Sequence, residues 1–474
     1  MSATVLAIDI GSSSLRTAFF TETGIRLIET TAARKYSVRY GNDGAAELDP
    51  RELLRAARSC LRATTRGRKN RISAVAGSAI WHSLLGVDRR GEPLTPVYTW
   101  ADSRSAADAR ALRAKLRERD VQLRTGCMLR APYWPAKLRW LRRTNGTLFR
   151  RVARWTSPGA WLFAQLFDAN ATSHSMASGT GLYNLERAAW DTELCGLCDV
   201  RVDQLDVIND RCLTSSGVVF PALGDGAASN LGSGADRPGH FAINIGTSAA
   251  VRTIESRGAT RGIPAGLFRY VVDEERLLLG GAISNAGNLR QWCLRELRIT
   301  DAEGALERAA VAADPLTVLP LWVAERAPTW PQNLGGMISG LTNETKSSEI
   351  LRAVTTSTFY RLADILDRLT LARSAEVIVS GGILHSPNSV AILADCLGHD
   401  LRICRELESS LRGAAIHALE QLGYSPKPLR RGRLVRQRPA LAAKHRLRRA
   451  RQNALERELT RADLRSRSAA RPAA

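Results

Sequence analysis

The pattern of apolar and polar positions opens on a short apolar run, VLAIDI, then a turn of small residues, GSSS, then a second apolar run ending in TAFF. Two apolar runs joined by a small turn predict a β-hairpin over residues 4–20 with little side-chain bulk at its tip. Residues 241–254, FAINIGTSAAVRTI, repeat that plan at an offset of 235, so that AIDIGSSS at 7–14 recurs as AINIGTSA at 242–249. Recurrence in register predicts two related halves, each beginning near its own hairpin.

Elsewhere the period lengthens. From Leu53 the pattern LLRAARSCLRA is helical, ISAVAGSAI reads as a strand, and VDRRGEPLTPVYTWADSRS is a polar-rimmed segment. Helices are expected over 106–116, 136–143 and 352–372, a strand ending in paired glycines at 377–382, and one basic helix at 439–461. Residues 466–474 are expected to be frayed. Alternating helices and strands place the chain in the α/β class. The expected divisions are 1–236, 237–426 and a basic helical tail at 427–474.

Composition changes this picture little. A length of 474 residues with 44% hydrophobic content suffices for two domains with their own cores and excludes a fibrous or disordered chain. The start, MSATVLAIDIGSSS, lacks a basic segment, and no apolar stretch reaches membrane-spanning length, so the cytoplasm and no membrane association are expected. Eight cysteines are too sparse for a disulfide framework, and the lone CxxC at Cys195 and Cys198 reads as packing.

The net charge of +22 raises a nucleic-acid reading, but residues 427–474 hold 16 Lys and Arg against three Asp and Glu, a net +13 that leaves +9 for the rest. Of the 68 basic residues only seven are Lys, and the arginines run through the whole chain. This is a compositional preference with a basic tail, not a binding stripe, so nucleic acid is not the expected partner.

The chemistry lies in the hairpins. Gly11 and Gly246 let backbone approach a phosphate, and the small hydroxyl residues beside them, Ser12, Ser13, Thr247 and Ser248, donate to its oxygens. Two residues before the glycine, the first copy has Asp9 and the second Asn244. Only the carboxylate has the charge to hold Mg²⁺, so the first half is expected to bear the metal and the second only phosphate. In GDGAASNLGSG, Asp225 sits among small residues just ahead of the second hairpin, where it can take a proton from an acceptor hydroxyl. Gly381 and Gly382 offer a flat surface with room for an adenine ring.

Taken together, DIGSSSLR, HSLLGVDRRGEPLTPVYTWADSRS, SMASGTGLYN, GDGAASNLGSG, NIGTSAAVR, GGAISNAGNLRQW and SGG with ADCLG and ELESSLRGAAIHAL resemble the FGGY carbohydrate kinases, from about Val5 to Gly423. The likeness is greatest to the gluconate kinase and xylulokinase branch. It implies the two-domain actin-like ATPase fold, built from duplicated ribonuclease H-like domains, and ATP with Mg²⁺ as cofactors. It implies Asp9 on the metal; Gly11, Ser12, Ser13 and Arg16 on the ATP phosphates, with Gly246, Thr247 and Ser248 opposite; Asp225 as catalytic base; and Gly381 and Gly382 at the adenosine. For the sugar it implies His82, Trp100, Asp102 and Arg104, and Arg104 is available to a substrate carboxylate.

Two departures bear on the substrate: Ala324 and Ala327 stand where the family carries Gly and Ser, and Trp81 is a bulky neighbour of His82. The expected activity is ATP-dependent phosphorylation of a small sugar or sugar acid, gluconate favoured. The alternatives are a xylulokinase-like ketose kinase, a non-catalytic ATP-binding sensor of the same fold, and a nucleic-acid-associated protein using the tail. A homodimer is left open.

Overall fold

The computed structural model describes residues 4–67, 72–258, 262–308, 316–331, 333–370 and 374–469, without the side chains of 464–469. The first sheet is built on β1 (Thr4–Ile10), β2 (Ser14–Thr21), β3 (Ala32–Lys35), β4 (Ala74–Ala79) and β5 (Gly217–Gly224). β1 pairs antiparallel with β2 and parallel with β4, giving the order β5-β4-β1-β2-β3, with Cys212–Thr214 added beyond β5. The apolar run of β1 is nearly continuous because both faces are covered. Leu6, Ile8 and Ile10 enter one core, while Val5 and Ala7 enter another on the opposite face.

Helix α1 (Pro50–Thr65) covers the first of these faces. It begins three residues before the apolar periodicity does, because Asp49 accepts from the Arg51 N–H and Pro50 occupies the first turn. It buries Leu53, Ala56, Ala57, Cys60 and Thr64, one stripe at helical spacing.

After α2 (Asp225–Ser233) the plan repeats with β6 (His240–Ile245), β7 (Ala249–Ser256) and β8 (Arg276–Ile283), then α3 (Ser347–Arg368), β9 (Glu376–Ser380) and β10 (Leu401–Ile403). The order β10-β9-β6-β7-β8 is that of the first sheet, with Phe268–Val271 and Leu434–Val435 at the two edges. The duplication expected from the hairpins thus extends to five strands per half. Helix α3 starts earlier than its apolar pattern because Glu349 reaches back to the Lys346 N–H at 2.8 Å, and it ends at Arg368. Residues 371–372 of the expected helix lie outside the described residues.

Helix α4 (Ser409–Gln421) departs from a simple two-unit reading. It follows the second sheet in the chain but packs on the first, where Leu411, Ala414, Ala415, Ala418 and Leu419 meet Val5, Ala7, Phe20, Ala74 and Phe220. It also crosses α2 at close range: a Cβ on Gly413 would lie 1.7 Å from the Ala228 carbonyl oxygen, and one on Gly232 1.7 Å from that of Ser409. Two helices whose crossing admits no side chain therefore join the halves.

Nor is the stretch after residue 426 a separate tail. Leu434–Val435 extends the second sheet, and α5 (Pro439–Ala469) packs along α3. The helix continues to Ala469, beyond the expected fraying point at 466; residues 470–474 lie outside the described residues. Among the described residues no helix is long and apolar enough to cross a membrane.

Candidate functional site between the two sheets

The tips of the hairpins β1–β2 and β6–β7 open onto one cavity of ≈ 160 Å³, lined by Ser12 of the first tip, Asn244 and Ser248 of the second, and Asp225. Each tip is closed by the same bond: Gly11 N–H donates to the Ser14 carbonyl at 3.0 Å and Gly246 N–H to the Ser248 carbonyl at 2.9 Å.

Asp9 faces Ser78 across the β1–β4 pair, and Arg16 bridges Asp9 at 4.0 Å and Glu408 at 3.3 Å. Burial, with Asp225 and Glu408 adding negative charge, pushes the Asp9 carboxyl up to about 7 against the pull of Ser78 and Arg16. A buried carboxylate crowded by two others is stabilised by a bound cation, so Asp9 fits Mg²⁺. Among the described residues no three His, Cys, Asp or Glu side chains converge as a metal cluster. The cation would therefore complete its shell with water and nucleotide phosphate, the usual habit of Mg²⁺.

Asp225 is the first residue of α2, where the helix N-terminus favours a negative charge. Burial raises its carboxyl above the ordinary range, opposed by Arg252 and by N–H donors. Its flank is built by Trp81. The indole donates to the Ser175 carbonyl at 3.0 Å and lies in a slot made by Gly179, Gly224 and Gly226; a Cβ on Gly224 would sit 1.7 Å from the ring. The first glycine of SMASGTGL and both glycines of GDGAASN are therefore the receptacle for this indole.

His82 follows β4 in a left-handed backbone conformation (φ 64°). Lys137, fully buried, holds it there by donating to the His82 carbonyl at 2.8 Å as well as to those of Thr99 and Pro132. The His82 Nδ1 lies against the Gly179 carbonyl, which only accepts, so Nδ1 carries the hydrogen and Nε2 remains an acceptor toward the cavity. Burial pulls the imidazole down to about 3, so it is neutral near pH 7. Tyr133 and Tyr270, hydrogen-bonded to each other at 2.8 Å, with Phe268 and Trp330, complete an aromatic wall.

Two arginines in the lining escaped the sequence reading. Arg252, on β7, faces Asp225, and its Nε is buried without a protein partner. Arg326 donates to Ser284 Oγ at 3.1 Å and to the Ile283 carbonyl, and its guanidinium lies 4.6 Å from the Trp100 ring centroid. A signal existed for Arg252: it interrupts AAVRTIE, a run buried at all its other positions. Arg326 had none, because arginines are everywhere in this chain.

Of the residues expected at the sugar, the structure brings His82 and Trp100 to the cavity but not Asp102 or Arg104. Arg104 is already held by Asp102 and Glu47, each at 2.5 Å, and covers Trp140; Asp102 is buried and accepts from the Ala46 N–H. Both serve the packing of the small sheet containing Ala46–Leu48. Gly381, at φ 93°, lies so close to the second hairpin that a Cβ would be 2.6 Å from the Ile245 carbonyl oxygen, which gives it a packing role as well. The Ala324 and Ala327 departures flank the loop that delivers Arg326, with Ala327 packed over Gly281. Cys195 and Cys198 are buried core residues.

The N-terminal domain model of the FGGY family of carbohydrate kinases matches residues 4–232, and the C-terminal domain model matches residues 241–421. A gluconokinase from Bacillus subtilis is 27% identical over 460 residues, covering 89% of this chain and 88% of its own length. A glycerol kinase from Cereibacter sphaeroides is 28% identical over 90% of this chain and 92% of its own. Among solved structures, a gluconate kinase from Lactobacillus acidophilus superposes with a TM-score of 0.88 at 23% identity, covering 97% of this chain and 99% of its own. A xylulose kinase from the same organism gives 0.88 at 24% identity, covering 96% and 98%.

Proposed function

Because the chain belongs to the FGGY family of carbohydrate kinases, whose members use ATP, we propose that it transfers the γ-phosphate of ATP to a hydroxyl of a small sugar acid, gluconate being the favoured acceptor. The observation that carries the choice of an acid is the pair Arg252 and Arg326 in the cavity of Asp225. A buried guanidinium with an unpaired Nε calls for an anion, and a carboxylate is the anion a small polyhydroxylated acceptor can bring. The carboxylate role first expected of Arg104 passes to these two, since Arg104 is already neutralised by Asp102 and Glu47.

In this reading Asp225 accepts the proton of the acceptor hydroxyl as its oxygen bonds to the γ-phosphorus, and the bond from that phosphorus to the β-phosphate oxygen breaks to release ADP. His82 Nε2 accepts from a second hydroxyl and so orients the chain of the acceptor. Gly11, Ser12, Ser13 and Arg16 take the phosphates from one side, Gly246, Thr247 and Ser248 from the other, with Gly381 and Gly382 beneath the adenosine. Asp9 would hold Mg²⁺, whose charge would offset that of the phosphate oxygens. Lining by residues of both halves lets closure exclude water from the site.

The test is ADP release by the purified protein with gluconate and other aldonates, xylulose, ribulose and glycerol. The highest kcat/KM is expected for an aldonate. A neutral ketose or glycerol turned over better would overturn the acid assignment, and nucleotide binding without turnover on any acceptor would overturn the kinase.

A further inference from the structure

Helix α5 lies wholly beyond residue 421, where the family match ends. Among its described side chains the buried ones, Ala442, His445, Gln452 and Glu456, form a stripe at helical spacing that is polar instead of apolar. Each polar member of the stripe meets α3: His445 bonds the Tyr360 hydroxyl at 2.7 Å, Gln452 donates to the Ser357 carbonyl at 3.1 Å, and Glu456 accepts from Arg361 at 2.8 Å. A helix held by hydrogen bonds and ions is held in one register, since a slip would strand every partner.

Glu456 is the carboxylate of this stripe, on a helix that carries nine basic residues. Its partner Arg361 is 2% exposed and stands between two carboxylates, with Glu325 on its other side at 3.8 Å. The loop carrying Arg326 and Trp330 to the cavity hangs on this triad. Arg361 donates to the Ala327 carbonyl at 3.2 Å and to Thr329 Oγ1 at 3.0 Å, and Thr329 in turn donates to Glu456 at 2.5 Å. Glu325 accepts from the backbone N–H groups of Ser284 and Arg326. Ser284 and Asn285 thus hold the loop at Glu325, and Arg361 with Glu456 holds it at the Ala327 carbonyl and at Thr329.

We propose that Glu456 is a positioning residue for acceptor specificity: from the C-terminal helix it fixes, through Arg361 and Thr329, the loop that presents Arg326 and Trp330 to the sugar. The inference rests on the reading that this cavity takes the acceptor. Glu456→Gln keeps the shape and removes the charge, turning an amide toward Arg361. It is expected to raise the KM for gluconate by roughly tenfold or more, while the KM for ATP stays within about twofold and kcat falls little. Thr329→Val, which removes only the linking hydroxyl, should shift the same KM in the same direction.

Arg449→Gln is the control: it breaks the pair with Asp367 between the same two helices, away from the loop, and should leave the gluconate KM unchanged. Arg326→Gln, measured alongside, must raise the gluconate KM. If Arg326→Gln does so while Glu456→Gln and Thr329→Val do not, the positioning role is wrong; if Arg326→Gln has no effect, the cavity assignment falls and this proposal with it. Equal loss of thermal stability in Glu456→Gln and Arg449→Gln with neither KM changed would assign the helix a structural role only.

Discussion

Asn244 donates its side-chain amide to Ser380 at 3.0 Å, at the register position where, in the other sheet, Asp9 faces Ser78. The duplicated scaffold thus keeps a serine opposite each site while exchanging a carboxylate for an amide. One copy can hold a cation, and the other is satisfied within the protein.

This asymmetry has opposite consequences for activity and stability. Asp9→Asn is expected to lower Mg²⁺-dependent turnover on the order of 10²-fold, whereas Asn244→Ala costs about 1 kcal/mol of stability and little activity. The Asp9 carboxyl is pushed up to about 7 in the fold, against an ordinary value of about 4. Between these values the folded chain binds the extra proton, so the group destabilises the protein progressively as pH rises through that window. Without Mg²⁺, Asp9→Asn should therefore melt higher than the parent at pH 8 and with it at pH 4. Thermal melts at the two pH values check the sign; a lower melting temperature at pH 8 contradicts the burial argument.

Asp225→Asn should leave ATP affinity nearly intact and reduce kcat on the order of 10²-fold or more, because the amide cannot take the acceptor proton. Single-turnover kinetics with a separate nucleotide titration decide this. Unchanged turnover removes Asp225 from the chemistry.

Arg252 separates charged from neutral acceptors. Removing one charged hydrogen-bond donor costs about 1.5–3 kcal/mol, so Arg252→Gln is expected to lower kcat/KM for gluconate by roughly 10- to 150-fold. The smaller activity on a neutral polyol should change far less. Comparable losses on both acceptors would indicate a general disturbance of Asp225, whose charge Arg252 offsets.

The crossing of α2 and α4 predicts the response to one methyl group. Gly413→Ala places a carbon where the Ala228 carbonyl oxygen stands. The helices must part, at a cost of about 1–3 kcal/mol or more. Denaturant unfolding should show a lowered midpoint, and parental stability would mean that the crossing is looser than described.

Structure that neighbours in the chain decide is readable without the fold. The two hairpins, with their small tips and the Asp9 to Asn244 exchange, are legible because strand, turn and strand are contiguous. The α1 start is legible in part, because Asp49 and Pro50 stand beside the helix they begin. Tertiary structure decided which arginine is available. Arg104 and Arg326 are the same residue type, but one is neutralised by Asp102 and Glu47 while the other lies over Trp100 in the cavity of Asp225.

It decided equally that α4 leaves its own sheet for the first, and that Glu456 reaches Arg361, 95 residues earlier in the chain. Local periodicity reports that a face is apolar or charged, not which surface covers it. Charges differ in function only through desolvation and the partners that packing assigns them, and those partners come from anywhere in the chain.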